Sequence, residues 1–101
     1  VTASIQRDFE LTVSPGKLAV DGVLSFDTAA AALKAIRAAM AGGGVGELDL
    51  GGVRHCDSAG LVCVLAVVAE ADQRGTALRV IHMPEGMQAL AQVCEVDRLM
   101  A

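Results

Sequence analysis

Between Ser58 and Arg74 the chain has no proline and one early glycine, and its apolar residues at Leu61, Val64, Leu65, Val68 and Ala71 recur at helical spacing. Strand-like runs flank this predicted helix, Glu47 to Leu50 before it and Thr76 to Ile81 after it. A strand, a long helix and a further strand joined in this way call for parallel neighbours and a right-handed crossover. That requirement places the chain in the α/β class.

The remaining segments extend the same pattern. Phe9, Leu11 and Val13 alternate with polar residues, and beyond Ser14-Pro15-Gly16 the alternation resumes at Leu18 and Val20, which reads as a hairpin. Asp27 is placed to accept bonds from the first free amides of a helix over Thr28 to Met40, with Leu33, Ile36 and Met40 on one face. Gly42-Gly43-Gly44 ends that helix, and Gly51-Gly52 followed by Val53 reads as a turn closing the third strand. Gly75 stops the long helix. Pro84 suits the first turn of a last helix striped by Met87, Leu90, Ala91 and Cys94, before a short segment from Val96 to Met100. The order β-β-α-β-α-β-α over residues 1–101 gives a single α/β domain, a small mixed sheet with helices packed on it and the hairpin strand at one edge.

Composition narrows the function classes. A chain of 101 residues supports one core, and 53% hydrophobic content with two Phe and no Tyr or Trp excludes disorder and any site built on aromatic stacking. The longest apolar run, Leu61 to Ala69, is about half of the ~18 to 20 residues needed to cross a bilayer, so a soluble protein without direct membrane insertion is expected. Eight basic against twelve acidic residues give a net charge of −4, with no basic cluster suited to nucleic acid. Val1 to Glu10 lacks the pattern of a signal peptide, which leads to a cytoplasmic expectation. Cys56, Cys63 and Cys94 show neither Cys-x-x-Cys nor Cys/His ligand spacing, and His82 has no second ligand near it in sequence. Reduced, partly buried thiols and no metal or cofactor are the expectation. The glycines at 42–46 and 51–52 lack a phosphate-loop pattern and read as turns.

In open α/β sheets the working site lies outside the carboxyl ends of the strands, and here that edge carries Arg54 to Gly60. A hydroxyl at Ser58 would sit beside unpaired amides and the positive end of the helix dipole, favouring an anion by roughly 0.3 to 1 kcal/mol. A phosphoryl group there would add about −1.5 to −2 charges next to Asp57. The plainer role is helix capping, for which Ser58→Ala would cost about 0.5 to 2 kcal/mol. His55, Asp57 and Ser58 resemble triad components, but residues this close in sequence rarely face one another, and no catalytic residue is assigned. The run Leu61 to Ala69 is apolar all round, so either neighbouring helices cover it or part of it is a docking patch; Met83, Met87 and Met100 either fill the core, the commoner use, or border such a patch.

Leu48-Asp49-Leu50, Val53, Asp57-Ser58-Ala59-Gly60-Leu61 and the long helix together resemble the signature of STAS domains, the sulfate transporter and anti-sigma factor antagonist family, over about Leu11 to Met100. The resemblance implies a non-enzymatic docking or switch module. It makes Ser58 the regulatory hydroxyl and candidate phosphosite, and Asp57, Ser58, Ala59, Gly60, Leu61 and Val62 the partner-binding stretch. Anti-sigma factor antagonists usually carry Gly-x-x-Asp after the second strand, whereas Gly22 to Thr28 here is more like the STAS subunit of the Mla phospholipid-transport ABC complex, as is the tail through Val93, Val96 and Leu99-Met100. By that resemblance the partner is an ABC transporter ATPase subunit at the cytoplasmic face of the inner membrane. The alternative partner is an anti-sigma factor kinase that phosphorylates Ser58.

Overall fold

The computed structural model describes residues 9–96. Along the chain it contains β1 (Phe9–Ser14), β2 (Lys17–Leu24), α1 (Ala29–Met40), β3 (Glu47–Cys56), α2 (Ser58–Gln73), β4 (Arg79–Ile81) and α3 (Glu85–Val93). The sheet order is β1-β2-β3-β4. β1 runs antiparallel to β2, and the other two pairs are parallel, the mixed sheet expected from the element order. At the hairpin Pro15 presets φ and Gly16 takes φ 74°. The Gly16 carbonyl then accepts from Gly46 N–H at 2.9 Å and Glu47 N–H at 3.1 Å, which ties the turn to the start of β3.

Period-two alternation decides which side of the sheet is dry. Leu18, Val20 and Leu24 of β2 and Leu48 and Leu50 of β3 are fully buried. Ala32 and Ile36 of α1, Val64 of α2, and Met87 and Ala91 of α3 close over them. The alternate residues carry ion pairs: Lys17–Asp49 at 3.5 Å, Arg79–Glu47 at 3.5 Å and His82–Asp49 at 3.0 Å. Each buried Leu or Val contributes roughly 1.5 to 3 kcal/mol, against about 0 to 1 for an exposed ion pair. The helical layer holds the fold, and the charges keep the other face wet.

Several boundaries differ from the sequence reading. Gly51 and Gly52 lie inside β3, which continues to Cys56, and the β2–β3 register slips between Ala19 and Asp21 and again between Gly22 and Val23. The pair serves a bulge where a turn was expected. Gly51 N–H donates to Asp49 Oδ1 at 2.8 Å, and a Cβ on Gly52 would fall 1.5 Å from Asp21 Oδ1. Asp27 does not cap α1, because Thr28 holds that position. Thr28 is buried, and its Oγ1 accepts from Ser25 N–H at 2.9 Å and donates to the Val23 carbonyl at 2.9 Å, turned back toward β2. β4 is limited to Arg79–Ile81, since Thr76 N–H is taken by the Ala71 carbonyl at the end of α2. Pro84 is the N-cap of α3, one place before its first turn. Met87 is buried in the core, the commoner of the two uses expected of it, while Met83 is half-buried. Met100 and the end of the last short segment lie outside the described residues. Cys63 is buried and Cys56 half-buried as expected, but Cys94 is exposed. Among the described residues no helix is long and apolar enough to cross a membrane.

α2 and α3 end alike. In α2, Gly75 at φ 78° sends its N–H to the Asp72 carbonyl while Thr76 N–H reaches Ala71. In α3, Glu95 occupies the equivalent left-handed position at φ 59°, with Glu95 N–H on Gln92 and Val96 N–H on Ala91. A side chain in that conformation costs about 1 to 2 kcal/mol that glycine avoids. Glu95→Gly is therefore expected to raise the urea midpoint and Gly75→Ala to lower it. Equal shifts of the same sign would contradict the two caps.

Candidate functional site

β3 delivers the chain to the carboxyl edge of the sheet, where Asp57 N-caps α2 in an extended conformation, φ −125° and ψ −169°. Its Oδ1 accepts from Gly60 N–H at 3.1 Å, and its Oδ2 accepts from Phe26 N–H at 3.0 Å. One carboxylate thus joins the first turn of α2 to the β2–α1 loop. Asp57 N–H completes the junction by donating to the Leu24 carbonyl at 3.2 Å. Gly60 lies so close to the end of β2 that a Cβ would come within 2.2 Å of the Leu24 oxygen, a backbone atom that cannot move aside. Glycine at 60 is what lets α2 rest on β2.

The six residues of the expected partner-binding stretch therefore divide by position. Gly60 and Leu61 are buried and support the surface from beneath. Asp57 is engaged with two amides, and Ala59 is half-buried. Ser58 and Val62 face outward, and Val62 is 62% exposed. Half-buried Leu65 and Ala66 and exposed Ala69 continue that face, so α1 and α3 cover only part of the apolar run. Capping belongs to Asp57, and the Ser58 hydroxyl makes no hydrogen bond among the described residues. Phe26, 82% exposed, is the site residue that sequence reasoning missed. The available signal was a large apolar side chain set between Ser25 and Asp27 in a loop.

Electrostatics follow the hydrogen bonds. The amides of Phe26 and then Gly60 hold the Asp57 carboxyl below its ordinary value, with a smaller contribution from His55. Burial pushes the Cys63 thiol up to about 11, and burial followed by the Asp57 charge raises Cys56, so neither thiol is set up as a nucleophile. His55 is exposed and forms no hydrogen bond with Ser58 among the described residues, in contrast to what a serine nucleophile with His55 as base requires. No group of three His, Cys, Asp or Glu residues among those described is placed to hold a metal ion. Ser58 can offer a hydroxyl to a partner or accept a substituent, and Phe26 and Val62 can offer apolar contact.

A family model described as "Mlab, STAS domain" matches residues 8–101. The chain belongs to the STAS-domain family. The solved structures similar to this STAS domain include two of SpoIIAA. One is the anti-sigma factor antagonist SpoIIAA in its unphosphorylated form, with TM-score 0.62 and 19% identity over 83% of this chain and 81% of that one. The other is the Bacillus cell fate determinant SpoIIAA in its phosphorylated form, with TM-score 0.66 and 18% identity over 92% of this chain and 88% of that one. At these identities the likeness shows the fold. No curated protein matches the chain.

Two substitutions test the junction. Ser58→Ala is expected to leave thermal stability within about 0.5 kcal/mol of the parent, since an exposed hydroxyl without a partner is removed; a loss comparable to that of a helix cap would contradict the assignment to Asp57. Asp57→Asn offers one oxygen where two amides need acceptors and is expected to destabilise. Because the folded carboxyl titrates below its unfolded value of about 4, its stabilisation is complete above that pH and is lost as pH falls through the folded value. Urea midpoints taken from pH 7 to pH 3 should therefore fall less steeply for Asp57→Asn than for the parent.

Proposed function

We propose that this STAS domain is a non-enzymatic accessory subunit that binds the ATPase of a phospholipid-transport ABC complex, at the cytoplasmic face of the inner membrane. The observation that carries the proposal is the outward face of α2, where Ser58, Val62, Leu65, Ala66 and Ala69 form a strip without a charged side chain. A domain of this size that supports an ATPase acts through surface complementarity, and an uncharged, partly apolar strip is the kind of surface that loses little on desolvation. The Mlab-type family model supports the same branch. In this role the Ser58 hydroxyl is a contact and carries no phosphate.

A second reading is an anti-sigma factor antagonist switched by phosphorylation of Ser58. The exposed hydroxyl at the first turn of α2 favours it, and the similar solved structures include an antagonist in phosphorylated and unphosphorylated forms. Incubation with the cognate anti-sigma kinase and ATP, followed by mass spectrometry, separates the two: phosphate on Ser58 supports the switch, and an unmodified Ser58 counts against it.

For the leading proposal, tagged protein recovered from its own cells should bring down an ABC ATPase identified by mass spectrometry. Recovery of an anti-sigma kinase alone would reject it. Ser58→Glu places a charge at the contact and is expected to weaken ATPase binding about tenfold or more in calorimetric titration. Binding as tight as that of the parent would remove Ser58 from the interface.

A further inference from the structure

We propose that Phe26 is the aromatic anchor of this surface and seats in an apolar pocket rimmed by basic side chains on the ATPase partner, an inference that rests on the ATPase assignment above. The chain has two Phe and no Tyr or Trp. Phe9 is 4% exposed in the core, whereas Phe26 is 82% exposed. Burying a ring of this size is favourable, and nothing among the described residues collects that gain.

The ring is carried on a fixed mount. Phe26 N–H is held by Asp57 Oδ2 at 3.0 Å. The residues before and after it are tied together: Ser25 N–H donates to Thr28 Oγ1, and the Ser25 carbonyl accepts from Thr28 N–H at 3.0 Å and Ala29 N–H at 2.7 Å. An exposed aromatic on a backbone secured on both sides meets its partner without first ordering a loop, which is the property of an interface hot spot. The shared carboxylate of Asp57 makes this mount continuous with the turn that bears Ser58. Among the described residues the other strongly exposed large apolar side chains are Val62 on the α2 strip itself, Val13 in β1 and Val93 at the end of α3.

Charge selects the occupant. Asp27, exposed beside Phe26, and the net charge of −4 favour a basic rim around the receiving pocket. A second copy of the chain would bring the same acidic character to the contact, so self-association is disfavoured. The α2 strip beside Phe26 has no charged side chain to offset that repulsion.

The test is calorimetric titration of the purified chain into its purified ATPase, with Phe26→Ala, Phe26→Leu and Asp27→Asn alongside the parent. Phe26→Ala should weaken binding about tenfold or more with an unchanged thermal midpoint, and Phe26→Leu should recover most of the affinity. Parent binding should fall with added salt, and Asp27→Asn should flatten that dependence. If the parent binds and Phe26→Ala binds equally well, the anchor is overturned while the ATPase assignment stands. If the parent does not bind the ATPase, the assignment falls and the anchor with it. A parent dimer in sedimentation velocity that Phe26→Ala dissolves would give the pocket to a second copy and overturn the proposal.

Discussion

The Asp57 carboxylate is the contact on which the site depends. One oxygen satisfies an amide at the open end of α2, and the other satisfies an amide in the loop between β2 and α1. Two segments far apart in sequence thereby share one support. The depressed titration of the group reflects those same two bonds. The Asp57 N–H and the missing side chain at Gly60 bring this assembly onto the end of β2. With both roles taken by Asp57, the exposed Ser58 hydroxyl has no hydrogen-bond partner among the described residues.

The two sides of the sheet have separate roles. The helical side supplies apolar burial, and α1 is further fastened to α2 by the Arg37 guanidinium, whose Nε lies 2.9 and 3.1 Å from the two Glu70 carboxylate oxygens. The other side carries the Lys17–Asp49 and Arg79–Glu47 pairs, whose exposure makes them modest contributors to stability. The outward strip of α2 bears neither these pairs nor any other charged side chain. That separation leaves one face of the helical layer suited to a protein partner.

Much of the fold is legible in the sequence because burial on one face imposes a repeat: period two in β2, and helical spacing with a closing glycine in α2. Local chemistry was harder to place. Paired glycines look the same in a turn and in a bulged strand, so Gly51-Gly52 concealed the extension of β3 to Cys56. Asp27 and Thr28 are both good capping residues, and the choice was made by Thr28 turning its hydroxyl back toward Val23, a tertiary detail. The Asp57-Ser58-Ala59-Gly60-Leu61 string marked the passage from β3 into α2, and the structure places it there. It could not show that Phe26 stands beside it, because that adjacency is created by a hydrogen bond between residues 31 positions apart.

The near contact between Gly60 and the Leu24 carbonyl has a further consequence. With no slack beneath the first turn of α2, that turn has nowhere to retreat when its outer surface is altered. Any group attached at Ser58 would stand proud of the domain, and a binding protein would meet the change as an added obstacle on an otherwise unaltered shape. Were Ser58 modified, the domain would report it by relief, like a key with one raised tooth, and its core would take no part in the message.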